Sequence, residues 1–397
     1  GGRRELLQES VAGRDAVEQV DELYATTLNN YERRPDSGLA LVVTGILVSL
    51  GGGLILVMRP LYVPRQRIVT AHLLRFLLIA LNVLPLLLLL LGWVPMWTTT
   101  QSNMAMVIAM LLLGLLASMV DRVPTLNWLV AINVITLLLI VVDLMTGARA
   151  MMLSPLGYSH ISGARYYGIG NEYGGVLLGS TIIAATGLAE ISNGRVRPWH
   201  VGLLMLFVTV VVGTPSIGAN FGVTLAAVIA FYFTWLRLSN RRVGWGSLVT
   251  VLLLSGLALI WMVGVDAESA QPSHIGRAFL DLDSSPTSYL GSLLAIAWRK
   301  LAMNWKLIRI TNWSWLFLSA LVAFLYAGWR DKGFGPKLEN LHPAISAGLA
   351  GVAVASVALL LLNDSGIVAA ATSMLFAATA ALAVAGRETQ PAGREAQ

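Results

Sequence analysis

The chain contains no cysteine, which excludes a disulfide framework and any thiolate metal site. Charged residues are also scarce, at 12% of the 397 residues, whereas a soluble domain carries about 25%. There is no Walker loop, no zinc-spaced histidine set, no G-x-S-x-G elbow and no HExxH helix. ATP hydrolysis and metalloprotease chemistry within this chain are therefore disfavoured, and no motif calls for a cofactor.

Apolar sequence is what the chain has in abundance, because 56% of its residues are hydrophobic. A helix that spans a bilayer needs about 20 mostly apolar residues. We predict an all-α fold, a polytopic transmembrane helical bundle of about 11 spans. The predicted spans are 38–58, 73–93, 104–120, 126–144, 171–189, 199–213, 218–237, 245–264, 313–328, 343–362 and 366–385.

The distribution of arginine and lysine predicts the orientation of these spans. Every connection that follows an odd-numbered span carries a basic residue, whereas several opposite connections carry none, so the first set is predicted to be cytoplasmic. The N-terminus is then outside. The predicted regions are an exocytoplasmic polar tail or linker (1–37), a transmembrane domain (38–385) with an outer loop (265–312), and a disordered cytoplasmic tail (386–397).

The formal net charge of +6 fits contact with membrane lipids, since basic loops bind anionic headgroups. No array of aromatic and basic residues suits nucleic acid, so no nucleic-acid partner is expected. The chain begins at Gly1 without a methionine or an apolar leader. This favours a start inside a longer protein over the removal of a leader.

Four polar clusters fall on the predicted outer side, and the first precedes the span 171–189. Glycines in this cluster allow a ligand to approach the backbone, and Glu172 sits in the first helical turn, where the helix dipole favours a carboxylate. We predict Glu172 and Arg165 as catalytic; the alternative is a helix cap with a structural ion pair. The substrate-binding candidates here are His160, Tyr167 and Asn171.

The second cluster lies between the spans 199–213 and 218–237. Pro215 and its flanking glycines break the helix, which frees backbone amides for an anion. Ser216 and Asn220 are predicted to bind substrate there. The alternative is a simple hairpin turn.

The third cluster is the long outer connection, in which His274 and Arg277 are predicted to be catalytic as a general base and a phosphate clamp. A surface histidine is the alternative. A basic amphipathic helix follows, with apolar residues on one stripe, and such a helix suits the membrane surface. Its polar positions Arg299, Lys300 and Asn304 are predicted to bind substrate.

The fourth cluster is the short turn between the last two spans. Asp364 is predicted to bind substrate, and the alternative is that it caps the following helix together with Ser365. Each cluster thus has a structural explanation beside the functional one. The four clusters are predicted to lie on the same side of the membrane, and this favours a shared site.

The stretch Arg165-Tyr166-Tyr167-Gly168-Ile169-Gly170-Asn171, placed before a membrane helix, resembles the Arg…Gly…Asn signature of bacterial O-antigen ligases and polymerases. The resemblance implies a multi-pass enzyme of the bacterial cytoplasmic (inner) membrane that acts on undecaprenyl-diphosphate-linked glycans. It implies that His274 and Arg277 correspond to that family's loop residues. The chain continues Glu172-Tyr173 where the family has Pro-Asn.

Three functions are open at this point. The leading hypothesis is an outward-facing enzyme of lipid-linked glycan or cell-envelope polymer metabolism, acting as a metal-independent glycosyltransferase or ligase on polyprenyl-diphosphate-linked glycan. The layout is also similar to the membrane block of bacterial proteins with an upstream exported phosphatase-like or sulfatase-like domain, which predicts a noncatalytic module. Broken, glycine-rich helices also occur in transporters and flippases.

Overall fold

The computed structural model describes residues 16–58, 61–94, 98–120, 123–158, 167–267, 286–329 and 334–387. Within these ranges the regular elements are all helical and no strand occurs. The helices, in chain order, are α1 Ala16–Met58, α2 Pro64–Leu90, α3 Thr99–Met119, α4 Thr125–Met145, α5 Arg149–Leu153, α6 Asn171–Ile191, α7 Pro198–Gly213, α8 Phe221–Leu238, α9 Trp245–Ala267, α10 Pro286–Ile310, α11 Trp313–Trp329, α12 Phe334–Leu341, α13 Pro343–Leu362 and α14 Gly366–Arg387.

The length and composition of these helices confirm the helical class and fit a multi-pass membrane protein. In the described part of the chain, nine helices are long and apolar enough to cross a membrane, or ten if the bent pair α10–α11 is one span. The structure has fewer such helices than the eleven predicted spans because α7 and α11 are short, with 16 and 17 residues. At 1.5 Å per residue they reach roughly 24–26 Å, short of the ~30 Å hydrocarbon core. The number of spans and the side of the N-terminus stay predictions.

Helix α14 is the centre of the bundle. Every residue from Gly366 to Ala385 is buried, and α14 packs against α6, α11 and α13, and also against α1 and α2. By contrast, only 22% of the apolar stretch of α3 and 11% of that of α9 is buried. These two helices therefore lie at the perimeter of the bundle.

Small residues allow the central helices to approach closely. A Cβ on Gly175 of α6 would collide with the Ala369 carbonyl and the Thr372 hydroxyl of α14, and Gly179 faces the Phe376 ring one turn further on. Lipid is as apolar as leucine, so association inside a bilayer relies on such close packing rather than on burial. The G-x-x-x-G spacing of Gly175 and Gly179 therefore explains the α6–α14 contact.

A polar contact joins three helices inside this apolar bundle. The Asn82 amide of α2 donates to the Thr379 hydroxyl of α14 at 2.9 Å, and the Asn133 amide of α4 donates to the Asn82 side-chain oxygen at 3.0 Å. All three side chains are buried. Hydrogen bonds of this kind stabilise helix association because hydrocarbon offers no other partner.

Helix α1 runs without interruption from Ala16 to Met58, so it crosses the predicted boundary between residues 37 and 38. Its membrane part, Gly38–Met58, is the apolar portion. At the other end of the chain α14 continues to Arg387, and residues 388–397 of the predicted tail lie outside the described residues.

We predict that Gly175→Ala lowers the free energy of unfolding by about 1–3 kcal/mol, because the added methyl group overpacks the α6–α14 contact. The matched control is Gly256→Ala in α9, where an added Cβ meets nothing within 4 Å. That control is expected to be neutral or slightly stabilising, since alanine favours helix over glycine. Unfolding in mixed micelles titrated with SDS measures both, and equal stabilities would contradict the close contact.

Candidate functional site at one end of the bundle

Three connections meet at one end of the bundle, which we call the Asn363 end: the start of α6, the α7–α8 connection and the α13–α14 turn. The Ile169 amide donates to the Gly218 carbonyl at 2.8 Å, and the Asn220 side chain donates to the Ile169 carbonyl at 3.0 Å. Gly168 has φ +72° and lies against the Gly218 carbonyl, where a side chain would collide. The segment before α6 is therefore fixed to the α7–α8 connection by both its backbone and a side chain.

Asn220 organises this contact. Its side-chain oxygen accepts from the Val223 amide at 3.1 Å, so it caps the N-terminus of α8. Its side-chain nitrogen also lies 3.4 Å from the side-chain oxygen of Asn171, the first residue of α6. Because Asn220 is only 4% exposed, its side chain makes its hydrogen bonds with other groups of the protein and not with solvent.

The α13–α14 turn joins the same cluster through close packing. A Cβ on Gly222 would collide with the side chain of Asn363, and the Thr372 hydroxyl of α14 donates to the backbone carbonyl of Glu172 at 3.0 Å. The first turns of α6 and α8 are thus held against the α13–α14 turn and the second turn of α14. This contact places Asn171 and Glu172 beside α14.

Helix α10 packs against the α13–α14 turn through Asn304. The Asn304 amide donates to the carbonyls of Leu360 and Asn363 at 2.9 and 2.8 Å, and its oxygen accepts from the Gly366 amide at 2.6 Å. One side chain therefore satisfies backbone groups at the end of α13 and the start of α14, which have no partners within their own helices.

Lys300, one helical turn from Asn304, extends the same contact. It donates to the Leu362 carbonyl at 3.1 Å and pairs with Asp364 at 3.3 Å. The Asp364 side chain is 73% exposed, so this ion pair adds little to stability. Its effect is to place a cation and a carboxylate at the rim of the cluster.

The Glu172 carboxyl lies in the first turn of α6 and is half-buried. The residue before the helix is Gly170, which offers no side-chain cap. The partial positive charge of the helix N-terminus favours the ionised form of a carboxylate at this position. Glu172 is thus a carboxylate at the edge of a polar cluster, with its backbone fixed by Thr372.

The structure brings several of the predicted residues together and leaves others apart. Asn171, Glu172, Asn220, Lys300, Asn304 and Asp364 belong to the connected cluster described above. Tyr167, Ser216 and Arg299 are exposed. The predicted residues His160, Arg165, His274 and Arg277 lie outside the described residues. The catalytic and binding roles of these residues stay predictions.

A recess of about 430 Å³ opens beside the short helix α5, lined by Gly92, Trp93, Arg149 and Leu153. Its volume lies within the ~300–1,000 Å³ typical of small-molecule sites. None of the predicted site residues lines it. The recess and the polar cluster are therefore two separate features of the structure.

Buried polar contacts connect α5 to the start of α6. The Asp143 carboxylate accepts from the amides of Ala150 and Met151, each at 2.8 Å, which holds α5 against α4. The Ser154 hydroxyl lies 2.7 Å from the Tyr173 hydroxyl of α6. These contacts fix the chain that precedes residues 159–166. They do not involve the α13–α14 turn.

Sequence analysis missed two residues that the cluster depends on. Thr372 lies within an apolar run, where a lone threonine is expected to bond its own helix, and here it also bonds the Glu172 carbonyl. Asn363 precedes Asp364 in the short turn between the last two spans, and Asn363 is buried whereas Asp364 is exposed. The sequence signal for Asn363 is its place in a short polar turn between two long apolar spans.

Comparisons with protein families, with curated proteins and with solved structures find no match to this chain. Among the described residues, no group of three or more His, Asp or Glu side chains is arranged to hold a metal ion. The candidate site is therefore defined by its geometry and chemistry alone.

We predict a graded loss of stability at Asn220. Asn220→Ser keeps an acceptor for the Val223 amide and removes the donor to the Ile169 carbonyl, which is expected to cost about 1–3 kcal/mol. Asn220→Ala also removes the cap and is expected to cost about 1 kcal/mol more. Thermal unfolding in detergent measures the series; identical midpoints for serine and alanine would show that the cap contributes nothing.

Proposed function

We propose that this chain is a multi-pass membrane enzyme that transfers a lipid-linked glycan in the bacterial cell envelope. The observation that supports the proposal is the connected cluster at the Asn363 end, where segments distant in the chain place a carboxylate, amides and basic side chains at the end of a membrane bundle. A lipid-anchored substrate reaches such a position by lateral diffusion, with its polar group at the depth of the helix ends.

The charge at the cluster suits a phosphate-bearing carrier. Lys300 pairs with Asp364 at the rim, and Arg299 beside it is exposed. The polyprenyl diphosphate proposed as the carrier is an anion that such cations neutralise. Arg165 and Arg277, predicted from the sequence, would add to this neutralisation.

The reaction requires a base and stabilisation of the leaving group. An acceptor hydroxyl attacks the anomeric carbon of the donor glycan, and Glu172 takes the hydroxyl proton, with His274 as the alternative base. The new glycosidic bond forms as the bond from that carbon to the diphosphate breaks, and the polyprenyl diphosphate leaves with the bonding electrons. Arginine and lysine stabilise the negative charge that develops on it.

The proposal also specifies the membrane that holds the enzyme and the face of that membrane at which the cluster lies. We place the enzyme in the bacterial cytoplasmic membrane with the Asn363 end at its outer face, where the sequence predicts the connections without a basic residue to lie. The polar tail 1–37 would then be on the same side as the cluster. An upstream exported domain of the same protein would also be on this side.

Alanine substitution of the four predicted catalytic residues tests the enzyme hypothesis. Glu172→Ala is expected to reduce glycan transfer from a polyprenyl-diphosphate donor at least about 100-fold, the usual contribution of a general base. Single Arg165→Ala, His274→Ala and Arg277→Ala variants are also expected to lose transfer. Radiolabelled donor and purified protein in proteoliposomes provide the measurement.

The matched control is Glu339→Gln, which removes a carboxylate paired with Arg237 at 2.8 Å at the opposite end of the bundle. Transfer should persist in this variant, because the pair lies far from the cluster and is partly exposed, with side chains 37% and 57% exposed. Full transfer in all four alanine variants would contradict the proposal. If the four substitutions altered only assembly, the noncatalytic module would be the better explanation.

A transporter or flippase is a second candidate, favoured by the polar contact of Asn82, Asn133 and Thr379 within the bundle. Buried polar side chains at membrane depth are often functional. Transport predicts that Asn133→Leu abolishes substrate movement across proteoliposomes while Glu172→Ala retains it. The enzyme hypothesis predicts the reverse for transfer, so the two variants separate the functions.

A further inference from the structure

Helix α10 differs in direction from the helix that follows it. Its segment Trp298–Ile310 is bent by 83° from the segment Trp313–Ala327 of α11. Helix α11 packs along α1 and α14, as a member of the bundle does. Segment Trp298–Ile310 therefore runs across the Asn363 end of the bundle rather than along it.

The segment presents three faces, since successive residues of a helix are separated by about 100°. Lys300 and Asn304 form the face toward the bundle and contact the α13–α14 turn. A second face carries Trp298, Leu301 and Trp305, which are 73%, 49% and 63% exposed.

The third face of the segment is basic and exposed, with Arg299 and Lys306, and the exposed Arg309 lies where this face meets the apolar face. The segment contains no Asp or Glu, so four basic residues give it a formal charge of +4 when Lys300 is included. Asp364 compensates Lys300 at 3.3 Å. Three cations therefore remain beside the exposed tryptophans.

This order of faces matches a helix that lies in the plane of a membrane interface. Tryptophan favours the boundary between headgroups and acyl chains, and a basic amphipathic helix buries its apolar face about 5–10 Å into that boundary. The bundle face points toward the end of α13, at the level where the apolar helices end. The apolar face can then enter the acyl chains while the basic face meets the headgroups.

We propose that the segment Trp298–Ile310 of α10 is a binding surface for anionic phospholipids. Trp298, Leu301 and Trp305 insert among acyl chains, Lys306 and Arg309 bind phosphate headgroups, and Asn304 holds the helix to the bundle. This inference does not rest on the proposed enzymatic function. It assigns a lipid partner to a surface that any of the three candidate functions would retain.

Charge selects anionic over zwitterionic lipid. A basic side chain near an anionic membrane surface contributes about 1 kcal/mol, equivalent to a roughly fivefold preference. Lys306 and Arg309 together are then expected to raise the preference about 30-fold. Increased ionic strength is expected to reduce it, because salt screens exposed charges.

The test uses a single fluorescent probe, which the absence of native cysteine makes possible. Ala302 is exposed and lies between the apolar and basic faces, one turn before Lys306. The Ala302→Cys variant, labelled with bimane, is reconstituted with phosphatidylglycerol or phosphatidylcholine brominated on the acyl chain. Quenching reports both the depth of the probe and the lipid that surrounds it.

We expect both brominated lipids to quench the probe, and phosphatidylglycerol to quench it at a much lower mole fraction. Adding Lys306→Gln and Arg309→Gln should remove most of this roughly 30-fold preference and leave quenching by phosphatidylcholine in place. The matched control, Arg195→Gln with Arg197→Gln, removes two exposed positive charges between α6 and α7. It should keep the preference.

Three results would overturn the proposal. Absence of quenching by either lipid would show that the helix lies out of the membrane. Equal quenching by the two lipids would show that the surface does not select anionic headgroups. The same loss in the control variant would show a general effect of charge rather than a local surface, and SDS unfolding of each variant confirms that the bundle is intact.

Discussion

The close approach of α14 to its neighbours is the constraint on which the rest of the structure depends. Hydrocarbon does not drive apolar helices together, so the bundle relies on glycine against backbone and on buried hydrogen bonds. Both meet on α14, where Gly175 packs against Ala369 and Asn82 bonds Thr379. The same helix carries Thr372, which holds the Glu172 carbonyl at the candidate site. The position of the polar cluster is therefore a consequence of how the most buried helix packs.

Sequence reasoning recovered the helices because transfer into lipid depends mainly on the local run of side chains, which a window of residues records. It failed to predict the packing. The spans of α14 and α9 are both strongly apolar, yet one is fully buried and the other faces outward. Their difference lies in which surfaces neighbouring helices present, as at Gly175. The amphipathic stripe of α10 predicted a helix suited to a membrane surface. The angle of 83° between α10 and α11 could not be predicted from the sequence.

The gathering of polar segments at one end followed from counting spans, since connections separated by an even number of spans lie on one side. The partners of each side chain did not follow. Asn220 and Asn304 were predicted to bind substrate, but an amide in a sequence does not reveal whether its hydrogen bonds go to a ligand or to backbone. Here Asn220 caps α8 and Asn304 joins α13 to α14. Their contacts hold in place the segments that carry Glu172 and Lys300.

The order of the helices along the chain has a consequence for biogenesis. Helix α14 follows α2, α4, α6, α11 and α13 in the sequence, and translation proceeds in that order. Those earlier helices are therefore synthesised before their common partner exists, at a stage when Gly175 has no Ala369 to pack against and Asn82 lacks the Thr379 hydroxyl. The earlier helices already pack on one another, as α8 does on α13 and α4 on α6. Placement of α14 among them is thus a late step that completes an incomplete bundle.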